Sequence, residues 1–215
     1  KSGIAQMELN PLTIRPIADP EPHLPNNRLN DGKADASGSI WFGTMDMAES
    51  QVSGSLYRLD PDGAATPMDS GYGVPNGPAF SPCGQWLYHA HSSQRIIYRF
   101  RRGPDGGIAD RQDFIGFGDD DGYPDGMTVD AVGHLWVAHW GGGRISRFTA
   151  EGVLDRSIAL PARQVTNICF AGADLDRMFV TSACTGLSEA ASAYDGALYE
   201  IDCGTKGLPT WQFGG

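Results

Sequence analysis

The chain lacks any run of about 18 apolar residues, so no segment is a candidate for a membrane-spanning helix. Positive charge is scarce. Against 26 Asp and Glu there are 16 Lys and Arg, a net charge of −10, and the pI is about 4.8. An acidic surface of this kind repels a phosphate backbone, which argues against nucleic acid as a partner and favours solubility. Cysteine is sparse, and Cys83, Cys169, Cys184 and Cys203 form no C-x-x-C pair. That spacing excludes a zinc ribbon or a thioredoxin-type redox site. Scattered thiols in a chain of 215 residues suit a reducing compartment, so a cytoplasmic protein is expected, with one disulfide as the alternative. No secretory signal opens the sequence. No G-x-S-x-G occurs, which argues against a covalent serine mechanism.

What the chain has is glycine, 29 residues of it, with 14 prolines and a hydrophobic content of 40%. That profile suits many short strands joined by tight turns. A repeat organises them. Four segments share one pattern, NDGKADASGSIWFGT from Asn30, NGPAFSPCGQWLYHA from Asn76, DGMTVDAVGHLWVAH from Asp125 and NICFAGADLDRMFVT from Asn167. Aligned on Trp41, Leu87, Trp136 and Phe179, they recur at intervals of 46, 49 and 43 residues. Each copy is followed by another alternating run, beginning at Gly54, Arg95, Gly143 and Gly196. A weaker fourth strand completes each unit. About 45 residues and four short strands is the signature of a β-propeller blade, and the runs are too short and too alternating for helices. A β-sandwich is the rival fold, but it predicts no such period. Residues 1–29 read as the outer strands of an earlier blade. The chain is therefore expected to be all-β, a single propeller domain over residues 1–215 with roughly four and a half blades present. An N-terminal segment is expected to be missing, because a propeller closes on itself to protect its edges, with a closed four-bladed ring as the alternative.

Eleven residues before the first three alignment positions stand Asn30, Asn76 and Asp125, and Asn167 takes the same place in the fourth copy. Equivalent positions of a propeller lie on a ring about its axis. Their oxygen-bearing side chains are expected to converge at one mouth of the channel. Amide and carboxylate oxygens are hard ligands that suit one divalent ion: Ca²⁺, Mg²⁺ or Mn²⁺, with Zn²⁺ also open. One carboxylate alone would bind a dication weakly, so a further acid is expected. The plain alternative is that Asn-Gly and Asp-Gly are ordinary turn formers. His89 and His91 share a strand face and, with no third partner, read as structural.

These residues carry a resemblance. Asn27-Arg28-Leu29-Asn30-Asp31-Gly32-Lys33, then Asp35, Gly38 and Trp41-Phe42-Gly43-Thr44-Met45, resemble the SMP-30/gluconolactonase/regucalcin family. So do Pro75-Asn76-Gly77, Pro124-Asp125-Gly126-Met127, Leu135-Trp136-Val137-Ala138, Trp140-Gly141-Gly142-Gly143-Arg144 and Gly207-Leu208-Pro209. The likeness implies a six-bladed propeller that hydrolyses a sugar lactone, such as a glucono-, xylono- or arabinono-lactone, with one divalent metal. Six such blades need roughly 276 residues. It implies that Asn76 and Asp125 are metal ligands, joined by an N-terminal glutamate with no counterpart here. Arg28 and Asn30 are implied to hold the substrate, and Asp125 to act also as the catalytic base. A further family glutamate aligns with Ala48, beside Glu49, and its role is not carried over. A monomer or weak homo-oligomer is expected. The alternatives are a calcium-binding regulatory or scaffold propeller without turnover, and a hydrolase of another ester. Arg28 discriminates, since a pure ion binder has no use for it.

Overall fold

The computed structural model describes residues 3–187 and 192–214. Its described helical content is two single-turn 3-10 segments, Ser92–Gln94 and Asp119–Asp121, among many short strands, so the expected all-β class is observed. No described helix is long and apolar enough to cross a membrane. Cα packing divides the chain into two compact units.

The first unit runs up to Pro75 and takes in the residues from Thr210 onward. It opens with an antiparallel hairpin, β1 (Ile4–Leu9) and β2 (Leu12–Ala18). This hairpin stands where outer strands were expected in residues 1–29, and it forms a two-stranded sheet of its own. A four-stranded antiparallel meander follows, in the order β3 (Asn27–Ala34), β4 (Ile40–Asp46), β5 (Gly54–Leu59) and β6 (Ala65–Tyr72). Ile4, Ile17 and Ala18 of the hairpin pack on a cluster of Phe42, Tyr57 and Leu59. Phe42 and Tyr57 stack with ring centroids 5.6 Å apart. A buried carboxylate, Glu21, binds the centre of this sheet together. It accepts from Asn27 Nδ2 at 2.8 Å on β3, Thr44 Oγ1 at 2.9 Å on β4 and Tyr57 Oη at 3.2 Å on β5. Burial, then the Glu21 charge, push the Tyr57 phenol up to about 12, so it stays a donor.

The second unit spans Asn76–Pro209. Its first meander is β7 (Pro75–Phe80), β8 (Trp86–His91), β9 (Ile96–Arg102) and β10 (Ile108–Gly116). The second is β11 (Tyr123–Val129), β12 (Leu135–Trp140), β13 (Arg144–Phe148) and β14 (Leu154–Ala159). The third is β15 (Gln164–Ala171), β16 (Arg177–Ala183) and β17 (Leu198–Ile201). It shows three strands among the described residues where four were expected, and one pair, Trp140 with Gln164, joins it to β12.

Strand β12 shows why the apolar runs look continuous. Leu135 and Val137 enter one core with Tyr88, Ile97 and Met127, while Trp136 and Ala138 enter another with Val165, Met178 and Val180. Successive side chains of a strand point to opposite faces, and here both faces are covered by another sheet. The turn before each such strand is also repeated. The N–H groups of Gly38, Gly84 and Gly133 donate to the carbonyls of Asp35, Ser81 and Asp130, at 3.0, 2.9 and 3.0 Å. These glycines have φ of 80°, 70° and 91°, a left-handed backbone that other residues adopt at a cost.

The strongest local device is an Asp six residues before a Trp. Asp35 accepts from the Ser37 and Ser39 N–H groups and, at 2.9 Å, from the Trp41 indole. Asp130 accepts from the Val132 and His134 N–H groups and, at 3.0 Å, from the Trp136 indole. Trp41 and Trp136 are thereby fully buried with their one polar atom satisfied.

Candidate functional site

The four repeat positions stand within the first strand of their meanders, and Asn30 and Asp125 lie at irregularities of the ladder. The register slips between Leu29 and Gly32, leaving Asn30 and Asp31 in a bulge of β3. It slips between Pro124 and Met127, placing Asp125 and Gly126 in a bulge of β11, and between Val165 and Asn167 in β15. A bulge puts two residues opposite one and turns a side chain away from the regular pleat. For Asn30 and Asp125 the common spacing in the sequence is thus a bulge in the structure, and Asn167 is paired with Thr181 just after a slip.

In the first unit Arg28 and Asn30 are brought together. The Arg28 guanidinium donates to Asn30 Oδ1 at 2.6 Å and to the Leu29 carbonyl at 3.1 Å. Asn30 Nδ2 donates to the Pro75 carbonyl at 2.7 Å. The carboxamide therefore grips the cation with one end and the chain with the other, and both side chains are half-buried.

In the second unit Asn76 is buried, with 6% of its surface exposed, and Asp125 is half-buried. Asn76 Nδ2 donates to Ser92 Oγ at 2.9 Å, and Ser92 Oγ donates to the Pro124 carbonyl at 2.5 Å. The peptide leading into Asp125 is thus one hydroxyl away from the Asn76 amide. Asn167 lies against the same segment. A Cβ added to Gly126 would stand 2.2 Å from Asn167 Cγ, so only glycine admits this contact. Asn167 Oδ1 accepts from the Ile168 N–H at 2.8 Å.

The loop before Asp125 is also held. The Asp121 side chain accepts from the Gly118 N–H at 2.7 Å and pairs with Arg144, and its carbonyl lies 2.8 Å from His139 Nδ1. A carbonyl only accepts, so His139 carries its proton on Nδ1. Gly122 and Gly142 press together there, and a Cβ on Gly142 would stand 2.3 Å from the Asp121 carbonyl oxygen. The neighbouring strand β8 contributes His89 and His91, both buried on one face. Burial is the main force lowering both imidazoles, His89 to about 3, so they are neutral near pH 7.

Asn76 and Asp125 offer an amide and a carboxylate oxygen, a hard donor pair that fits a divalent cation of the Ca²⁺, Mg²⁺ or Mn²⁺ kind. Among the described residues no group of three or more His, Cys, Asp or Glu side chains is placed to hold an ion. The four cysteines are unbridged. Sequence reasoning did not find Ser92, Asp121, His139 or Glu21. A serine after a strand and an Asp in an acidic loop carry no signal of their own, whereas Glu21 precedes the Arg28 segment without any repeat partner.

Residues 1–184 match the family model described as SMP-30/Gluconolactonase/LRE-like region. The chain belongs to this family. It is 34% identical over 193 residues to Pentonolactonase XacC of Haloferax volcanii, covering 86% of this chain and 66% of that protein. It is 36% identical over 208 residues to L-arabinolactonase of Azospirillum brasilense, covering 93% and 67%. Among solved structures it is similar to the calcium-binding protein regucalcin of Agrobacterium tumefaciens, with a TM-score of 0.93 and 29% identity, covering 99% of this chain and 73% of that one. The chain thus spans about two thirds of the length of these curated relatives.

Proposed function

We propose that this protein is a metal-dependent hydrolase that opens a sugar lactone to the sugar acid. Relatives named for pentono- and arabinolactone hydrolysis support this chemistry. The observation that carries the reading is the presence of two polar groups, each held within its own unit. An arginine is gripped by an asparagine in one unit, and in the other an amide is hydrogen-bonded toward the peptide before a carboxylate. A binder of bare cations has no use for the first. In this reading residues 1–215 form one propeller domain of a six-bladed whole, with about four and a half blades here.

Asn76 and Asp125 would hold one divalent cation, identified no further than Ca²⁺, Zn²⁺, Mg²⁺ or Mn²⁺. Such an ion supplies Lewis acidity to a carbonyl oxygen that gains negative charge. Asp125 accepts the proton of the attacking water as general base. Arg28 donates to the substrate's oxygens, and Asn30 keeps it in place from behind while its own amide borders the lactone. That geometry lowers the barrier through orientation.

The test is a pH-stat screen of aldonolactones on the protein, with and without chelator. Turnover is expected on at least one, and chelator is expected to remove it. Asp125→Asn should lower kcat at least ~10²-fold, the usual range for loss of a general base, with the fold retained. Arg28→Ala should raise KM or lower kcat while cation affinity stays unchanged. Wild-type turnover by the Asp125 variant would sink its assigned role. A wild-type protein that opens no lactone but binds calcium would favour the regulatory alternative.

A further inference from the structure

Beyond the ligands themselves, the geometry points to Ser92 as a positioning residue that decides which end of the Asn76 amide faces the cation. The inference rests on the metal reading above. Ser92 opens the short 3-10 turn after β8, and only 6% of its surface is exposed. Its hydroxyl has one proton to donate and lone pairs to accept with. Pro124 O, 2.5 Å away, is a carbonyl and can only accept, so the proton goes there. Toward Asn76, at 2.9 Å, Ser92 Oγ is then left solely as an acceptor. The amide atom facing it must be the NH₂, and Oδ1 is turned to the opposite branch.

The two ends of a carboxamide are nearly identical in shape, so packing alone does not choose between them. The difference matters to a cation, which an amide oxygen attracts and an NH₂ repels. One hydroxyl thus sets the polarity of Asn76. Through Pro124 it also ties that amide to the peptide from which Asp125 projects. At the aligned positions of the neighbouring copies stand Asp46 and Gly141. The device belongs to the copy whose Asn is assigned as ligand.

The test reads cation binding without substrate, by calorimetric titration of the protein with Ca²⁺ and Mn²⁺, with melting temperature as the check on folding. Ser92→Ala is expected to weaken binding by ~10–100-fold, the range for groups that orient a metal ligand. Ser92→Thr keeps the hydroxyl and is expected to bind within about threefold of wild type. The discriminating background is Asn76→Asp. A carboxylate carries oxygen on both branches, so its orientation no longer matters, and adding Ser92→Ala there is expected to change affinity by less than about threefold. An equal loss in both backgrounds would mean that Ser92 merely supports the fold, and would overturn the proposal. So would an unchanged affinity in folded Ser92→Ala. If Ser92→Ala does not fold, Ser92→Cys takes its place, because a thiol donates and accepts weakly. A severalfold loss is expected, and wild-type affinity overturns the proposal. A wild-type protein that takes up neither ion refutes the metal reading itself, and this inference with it. Uptake by wild type with no effect of the Ser92 variants refutes the inference alone.

Discussion

Asp130 is fully buried and carries more hydrogen bonds than its size suggests. Besides two turn N–H groups and the Trp136 indole, it accepts from Arg147 Nε at 2.8 Å. Arg147 Nη2 lies 2.7 Å from the same oxygen, and the arginine side chain is itself only 11% exposed. Removing the carboxylate would leave a buried indole N–H unsatisfied and leave Arg147 with its other carboxylate partner, Asp155, at 2.8 Å. Asp130→Ala is therefore expected to destabilise the protein by about 1–3 kcal/mol, the range for leaving a buried donor unsatisfied. Asp130→Asn, which still accepts from the turn and the indole, should lose less. Urea unfolding of both variants checks the order, and equal losses would mean that the ion pair contributes nothing. At this scale much was legible beforehand. The Asp and Trp six residues apart are local, and the turn between them needs its glycine whatever the rest of the chain does. The Arg147 partner was not legible, since it arrives from the next strand.

Among the elements, the bulges of β3 and β11 decide where the candidate side chains go. The recurring eleven-residue offset was visible in the sequence, but its cause was not. In these two strands it marks a place where the ladder slips. Gly126 shows how closely that place is packed. Its φ is not in the left-handed region, so the obstacle nearest to an alanine there is the Asn167 side chain, at 2.2 Å. Gly126→Ala is expected to cost about 1–3 kcal/mol by overpacking. Truncating Asn167 to Ala in the same protein should recover most of it, because the two sites share one contact. Melting temperatures of the two single variants and the double variant give the answer. Strictly additive losses would show that the clash is relieved elsewhere.

For the whole molecule, the buried imidazoles make stability depend on pH. His139 donates to the Asp121 carbonyl through Nδ1, and its Nε2 is buried without a hydrogen-bond partner among the described residues. Burial therefore lowers its pKa, although the Asp121 backbone pulls the other way. In the unfolded chain the same group titrates near 6.5. The unfolded state thus binds the proton first as pH falls. The stability that neutral His139 contributes is present above about pH 6.5 and is lost progressively below it, toward the folded-state pKa. Unfolding free energy measured by urea at pH 7.5, 6 and 5 should fall with pH. His139→Asn cannot titrate and offers an amide donor close to Nδ1, so its profile should be shallower. A variant profile parallel to the wild type would assign the pH dependence to other groups.

The amino-acid sequence by itself determined the β class, the repeat, the turns and the aromatic centres of the strands, because each depends on neighbours within a few residues. It also determined which positions recur in register, and so which oxygens were worth watching. Tertiary structure decided what those side chains meet. Ser92 meets Pro124 across 32 residues of chain, Asn167 lies over Gly126, and Glu21 reaches Tyr57 across 36 residues. A serine or a glutamate has no periodic signature. Its partner is set by which sheets stack and by the register they take, and so is the direction in which a hydroxyl gives its one proton.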